Sequence, residues 1–265
     1  MMRAHGVVRG RESGRLSQRM RLDQALVERG LCDSREKARR VIMAGAVSVN
    51  RQPARKPSDT VNPGDELALS APEKFVSRGG YKLEHALNHF HLGVAGATAV
   101  DLGASTGGFT DCLLQRGAQR VFAVDVGHGQ LAWKLRQDPR VVVMEKTNAR
   151  DLTVAKFPKP FALAEVVVAD CSFISLRKIL PAAVGLLRRS GKIVALVKPQ
   201  FEAGKAEADE GRGVITDPAI HRRVLAELEQ FVPALSLVWR GVTESPLLGP
   251  AGNREFLVLL ELETK

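Results

Sequence analysis

Asp101-Leu102-Gly103-Ala104-Ser105-Thr106-Gly107-Gly108-Phe109 is the stretch whose reading decides the fold. The apolar run Thr98–Leu102 before it has the composition of a buried strand, and Gly108–Gln115 after it has helical spacing. Glycines between a strand and a helix let the backbone turn tightly and let a ligand come close to the helix N-terminus. Dinucleotide-binding folds share this layout. Here, however, the glycines fall at 103, 107 and 108 and do not follow GxGxxG. Asp101 also precedes the loop, where a carboxylate repels a pyrophosphate and attracts a ligand ammonium such as the amino group of a methionine. Asp101, Gly103, Ser105, Thr106, Gly107, Gly108 and Phe109 are therefore expected to hold a cofactor.

Outward from the loop, strands and helices alternate. Residues 121–124 form an apolar strand ending at Asp125, about 20 residues after the loop, where a carboxylate accepts ribose hydroxyls. A third strand over Val141–Met144 leads to Thr147-Asn148-Ala149-Arg150, with Asn148 and Ala149 expected at an adenine edge. Strands over 166–169 and 192–197 end in Asp170 and Lys198, with a helix over 174–188 between them. A helix over Pro218–Phe231 and late strands over 235–239 and 256–261 follow. This alternation predicts an α/β, Rossmann-like, doubly wound sheet of parallel strands, over residues 77–265.

The N-terminal part reads differently. Residues 1–20 carry five arginines and one acid, without helical or strand period, and are expected to be a basic flexible leader. Residues 21–70 hold a short amphipathic helix stopped by Gly30 and a second helix capped at Asp33-Ser34 and ended by Gly45. Short strands around Val47-Ser48-Val49 and Leu67-Ala68-Leu69 complete a small α+β domain, and 71–76 reads as a linker.

The chain has 265 residues and a formal net charge of +10. Residues 1–70 contribute +6 of that, and Arg35, Lys37, Arg39 and Arg40 crowd one short helix, a pattern suited to a phosphate backbone. This part contains no Phe, Trp or Tyr, which points to recognition of structured RNA through its phosphates and not to base stacking. Cys32, Cys112 and Cys171 are scattered, without metal spacing, so no metal is expected. No apolar run reaches the ~18 residues that span a bilayer, and no secretory signal opens the chain, so a cytoplasmic protein without a membrane partner is expected.

Seven separate motifs extend the reading. Ser77-Arg78-Gly79-Gly80-Tyr81-Lys82-Leu83, the 101–110 loop, Ala123-Val124-Asp125-Val126-Gly127-His128-Gly129-Gln130-Leu131 and Lys146-Thr147-Asn148-Ala149-Arg150 are four of them. Ala169-Asp170-Cys171-Ser172-Phe173-Ile174-Ser175-Leu176, Val197-Lys198-Pro199-Gln200-Phe201-Glu202 and Gly249-Pro250-Ala251-Gly252-Asn253-Arg254-Glu255 are the others. In this order, over residues 21–262, they resemble the TlyA/haemolysin A family of rRNA 2′-O-ribose methyltransferases, with an S4 RNA-binding domain before an FtsJ-like methyltransferase domain. The resemblance implies S-adenosyl-L-methionine as cofactor and cytidine ribose of ribosomal RNA, or of ribosomal subunits, as target. It also implies a Lys-Asp-Lys-Glu active site at Lys82, Asp170, Lys198 and Glu255. Asp170 would face the cofactor too, and Arg78 would join the RNA contacts. Family members differ in acting on the large-subunit RNA alone or on both subunits; the short tail after the last strand resembles the former.

Within that frame Lys198 is expected to be the base or the lysine nearest the ribose hydroxyl, Lys82 to supply positive charge, and Asp170 and Glu255 to hold the lysines. Phe173 and Phe201 are candidates for stacking a flipped base, His128 a surface or capping residue, and 209–213 a loop after the 197–202 stretch. Competing readings are a small-molecule or protein methyltransferase of the same fold, a membrane-active haemolysin, and a non-catalytic RNA-binding protein.

Overall fold

The computed structural model describes residues 8–9, 18–54, 56–69, 73–204, 207, 209 and 211–263. The chain divides into two compact units, Met1–Lys74 and Phe75–Lys265.

In the first unit, β1 (Val8–Arg9) and β2 (Met20–Arg21) precede α1 (Leu22–Glu28) and α2 (Arg35–Met43). Four further strands follow: β3 (Val47–Val49), β4 (Gln52–Pro53), β5 (Thr60–Val61) and β6 (Leu67–Leu69). One sheet runs β1-β6-β3-β4, and β2 pairs with β5. Ser34 caps α2 as the sequence indicates, its Oγ accepting from the Lys37 amide at 3.2 Å. Gly30 and Gly45 follow the two helices at φ +68° and +72°. Leu22, Leu26, Ala38, Ile42, Val47, Val61 and Leu67 form the core. Inside it Asp23 is fully buried, satisfied by Arg21 at 3.0 Å and Arg35 at 3.1 Å. The expected leader is corrected at one place: Val8 and Arg9 pair antiparallel with Leu69 and Ala68. Residues 1–7 and 10–17 lie outside the described residues.

The second unit is built on a seven-stranded sheet. In chain order its elements are α3 (Gly79–His89), β7 (Thr98–Leu102), α4 (Gly108–Gln115), β8 (Arg120–Val124), α5 (Trp133–Arg136) and β9 (Val141–Met144). Then come β10 (Ala164–Ala169), α6 (Leu176–Gly185), β11 (Leu187–Val197), α7 (Pro199–Glu202), α8 (Pro218–Phe231), β12 (Leu237–Glu244) and β13 (Phe256–Leu262). The strand order is β12-β13-β11-β10-β7-β8-β9. From β7 the chain builds outward through β8 and β9, then returns to the other side of β7 with β10. The split between β7 and β10 is thus the switch point where ligands bind in such sheets.

Alternation builds the layers. Val166, Val168, Val194 and Leu196 face the side covered by α3 and α4, with Leu83, Leu87, Cys112 and Leu113. Val167, Ala169, Ile193, Ala195 and Val197 face the side of α6 and α8, with Ile179, Leu180, Val224 and Leu228. A strand covered on both faces loses the polar alternation of an open sheet.

Three expectations change. The sheet is not parallel throughout, because β13 runs antiparallel to both β11 and β12. The helix expected over 174–188 ends at Gly185, since Leu187 already pairs with Ala164 and begins a strand longer than 192–197. Phe75, expected in a linker, is 3% exposed in the core of the second unit.

The Leu180 side chain is fully buried between the sheet and α6. Leu180→Ala should cost about 2–5 kcal/mol, read as a lower urea midpoint at unchanged slope. A midpoint within error of the wild type would deny this contact its place in the core.

Candidate active site

The loop after β7 is shaped by backbone that side chains would obstruct. Gly103 stands at φ +83°, and a Cβ there would lie 2.7 Å from the Asp170 carbonyl oxygen. Gly107, at φ +96°, caps α4. A Cβ on Gly108 would meet Ser77 Oγ at 2.3 Å and the Gly80 amide nitrogen at 2.8 Å. The loop is thereby pressed between the start of α3 and the end of β10.

The cleft has two adjoining halves that share Gly103, Ser105, Asp170 and Ser172. One half, of about 490 Å³, is lined by Asp125, Val126, Gln130, Asn148, Ala149 and Phe173, among others. Asp125 anchors it: Oδ2 accepts from the Ser105 amide at 2.8 Å and Oδ1 from the Gly127 amide at 2.6 Å. Each oxygen keeps a second lone pair for a ligand hydroxyl. Asn148 turns its side-chain oxygen to the Arg150 amide at 3.0 Å and so caps a short 3₁₀ turn.

The other half, of about 480 Å³, is lined by Lys82, Asp170, Lys198 and Glu255, together with Arg78, Thr106, Gly108 and Phe109. Four elements bring the four charged side chains together: α3, the ends of β10 and β11, and the residue before β13. Lys82 Nζ donates to Glu255 Oε2 at 2.5 Å. Lys198 Nζ stands 2.6 Å from Asp170 Oδ1 and donates to Ser172 Oγ at 2.7 Å. Lys82, Lys198 and Glu255 are 7%, 8% and 1% exposed, so both ion pairs are largely withdrawn from water. Buried charges persist only when paired, and these two pairs satisfy one another at the wall of an open cleft.

Two expected cofactor residues lie off the wall. Asp101 is fully buried beneath the loop, with Thr110 Oγ1 donating to its Oδ2 at 2.7 Å and no partner for Oδ1. Burial, opposed by the Thr110 bond and reinforced by the Asp170 charge, pushes its carboxyl up to about 7. Gly107 is absent from the cleft lining; its α-carbon is covered by Leu131 and Leu135. Arg78 donates to the Leu248 carbonyl at 2.6 Å across the mouth of the cleft.

The remaining RNA candidates lie in the first unit. Arg35 is engaged by Asp23, and Lys37 by Asp33 at 2.6 Å. Arg39 and Arg40 are exposed and form no ion pair among the described residues.

Sequence reading missed Ser172, which holds Lys198; its position two residues past a strand-end carboxylate was the available signal. It also missed the work of Glu202, whose oxygens accept from Ser175 Oγ at 2.7 Å and the Leu176 amide at 2.6 Å. That carboxylate ties the segment after β11 to the start of α6. Burial pushes the Cys171 thiol up to about 12, so it is no thiolate nucleophile at neutral pH. His128 is a surface residue whose Nδ1 meets Glu145 at 2.9 Å. Of 209–213, residue 210 lies outside the described residues. Among the described residues no helix is long and apolar enough to cross a membrane, and no three His, Cys, Asp or Glu side chains gather as a metal site would require.

A glycine loop at the switch point of such a sheet is shared by several nucleotide-binding folds, and the comparison with known proteins decides among them. The FtsJ-like methyltransferase model matches residues 75–262 and the S4 domain model matches residues 20–67, and the chain belongs to the FtsJ-like methyltransferase family. Among curated relatives, the 16S/23S rRNA (cytidine-2′-O)-methyltransferase TlyA of Mycobacterium tuberculosis is 47% identical over 254 residues, covering 94% of this chain and 92% of that protein. YqxC of Bacillus subtilis, described as a candidate rRNA methyltransferase, is 49% identical over 92% of this chain and 86% of its own length. The solved structure of a candidate hemolysin from Streptococcus thermophilus, 43% identical, covers 94% of this chain and 90% of its own, with a TM-score of 0.71.

The Asp101 carboxyl gives a pH signature. Its folded value lies above the ordinary 3.8, so the folded protein keeps a proton that the unfolded chain releases between about pH 4 and 7. Its contribution to stability is complete below that window and is lost as pH rises through it. Asp101→Asn should therefore gain stability relative to wild type as pH rises from 4 to 8, measured by urea unfolding. A difference that stays flat across the window would refute the assignment.

Proposed function

We propose that this chain transfers a methyl group from S-adenosyl-L-methionine to the ribose 2′-hydroxyl of a cytidine in ribosomal RNA. The observation that carries the reading is the pair of withdrawn ion pairs, Lys82–Glu255 and Lys198–Asp170, at one end of a cleft whose other end is lined by Asp125.

The residues present suit the cofactor. Asp170 lines both halves of the cleft with its side chain 23% exposed, and Asp125 has spare lone pairs, so the cleft offers carboxylate oxygens to an ammonium and to ribose hydroxyls. Gly103, Ser105, Thr106, Gly108 and Phe109 would line the methionine side, and Asn148 and Ala149 the adenine side. Asp101 and Gly107 would act from beneath by fixing the loop. The bound cofactor supplies a methyl group already activated on a sulfonium.

What remains for the protein is to place a poor nucleophile and remove its proton. Lys198, as the neutral amine, is assigned to accept the 2′-hydroxyl proton, and Ser172 and Asp170 are placed to hold the ammonium that this forms. Lys82 lends positive charge to the oxygen as it becomes electron-rich, in a setting that limits water and strengthens the interaction. Glu255 and Asp170 keep the lysines from swinging into solvent. Phe173 is 90% exposed, at φ +63°, on the cofactor half of the cleft, where its ring is open to stack on an extruded base.

RNA as substrate rests on the S4 match, on the cationic first unit, and on the names of the relatives. Arg39 and Arg40, unpaired on α2, suit phosphate contacts.

Two experiments test this. With labelled S-adenosylmethionine and ribosomal subunits, the label should map to ribose, and Lys198→Ala should lower transfer by about 10²-fold or more. Cofactor affinity should stay within a few fold of wild type. Label on a base or on protein, or loss of cofactor binding in the variant, would redirect the assignment. Separately, replacing Arg39 and Arg40 by Gln should weaken RNA binding and reduce the log–log salt slope by roughly 1–2. An unchanged slope would remove α2 from the interface.

A further inference from the structure

Trp133 and Phe173 are the exposed aromatic rings among the described residues, at 73% and 90%; every other Phe, Tyr and Trp there is buried or half-buried. Phe173 belongs to the cleft. Trp133 does not line it, and nothing in the chemistry above uses it. An indole left in water on a fixed surface is the kind of side chain that marks a contact site.

The surface under Trp133 is held rigidly. Glu145, whose side chain is 12% exposed, accepts from Arg136 Nη2, from the Gly129 amide at 2.9 Å and from His128 Nδ1 at 2.9 Å. The Arg136 bond above all, helped by those from Gly129 and His128, holds its carboxyl down at about 2. Arg136 also donates through Nε to the Leu131 carbonyl at 3.0 Å, and the Lys146 amide donates to the Gly127 carbonyl at 3.1 Å. One carboxylate thus draws the segment after β8, α5 and the segment after β9 into a single knuckle. The knuckle joins the cleft directly, because the Ala132 amide donates to the carbonyl of Thr106, a cleft residue, at 3.1 Å.

Its exposed side chains include Trp133, His128 (71% exposed) and Lys146, which has no ion pair among the described residues. The Glu145 carboxylate is consumed inside the knuckle. An exposed indole on a segment tied to one that presents an exposed ammonium suits a nucleotide, whose base can stack while its phosphate meets the ammonium. The first unit contains no aromatic residue, so any base stacking must come from the second.

Resting on the RNA reading above, we propose that Trp133 is a stacking platform for a nucleotide near the methylated one, with Lys146 and His128 meeting its phosphate. The knuckle then fixes the strand beside the cleft and sets which nucleotide enters.

The test uses the full chain carrying Trp239→Phe, which leaves Trp133 as the single tryptophan. Methyl transfer to protein-free ribosomal RNA by this parent is scored first. If the wild-type chain transfers no methyl to protein-free RNA or to ribosomal subunits, the RNA reading falls and the platform loses its partner with it. If it holds, the same RNA should quench Trp133 emission saturably, over the concentrations that support transfer. In the wild-type background Trp133→Ala should raise KM for RNA roughly tenfold, and Trp133→Phe should restore most of it. The cofactor dissociation constant should stay within about twofold. Unchanged emission, or an unchanged KM in Trp133→Ala, overturns the platform and leaves the methyltransferase reading intact. Emission of the free chain that shifts with protein concentration would assign the surface to a second copy and overturn it as well.

Discussion

The ends of β7 and β10 lie so close that a methyl group on Gly103 would stand 2.7 Å from the Asp170 carbonyl oxygen. The Asp170 amide still donates to Leu102 at 3.0 Å, so the two strands stay paired up to the point where they part. Everything at the site is referred to that junction. On one side the chain turns into the glycine loop and α4; on the other it turns toward Ser172 and Phe173. A bulkier residue at 103 would separate the two turns and with them the two halves of the cleft.

From this junction the charges take their places. β10 brings Asp170, β11 brings Lys198, and the antiparallel β13 begins one residue after Glu255, which reaches Lys82 on α3. No pair of these residues is close in sequence except through the sheet; Lys82 and Glu255 are 173 residues apart. Removing one member would leave its partner buried and uncompensated, and such a loss costs more than the pair contributes. The arrangement therefore keeps the two lysine side chains fixed at the cleft wall.

Much of this was legible in the chain. Strands ending in Asp125, Asp170 and Lys198 marked the C-terminal rim of the sheet, and Ser34, Gly30 and Gly45 marked the helices of the first unit. The rest was not legible for identifiable reasons. Phe256–Leu262 lies largely buried between β12 and β11, and an apolar run carries no sign of its direction. The early start of β11 depends on Leu187 finding Ala164, a partner outside any local window. Asp101 read as a ligand contact because a carboxylate before a glycine loop attracts cations; its burial under Thr110 depends on how α4 packs back. Ser172 and Glu202 hold functional segments through side-chain bonds to residues 26 or 27 positions away, which spacing does not reveal.

The central claim is that one cleft seats the methyl donor between the Asp125 carboxylate and the two lysines. A crystal structure of the chain with S-adenosylhomocysteine tests it most directly. The account predicts ribose hydroxyls on Asp125, adenine beside Asn148 and Ala149, and the sulfur turned toward the space between Lys82 and Lys198. Adenosine bound elsewhere, or a sulfur facing away from both lysines, would contradict it.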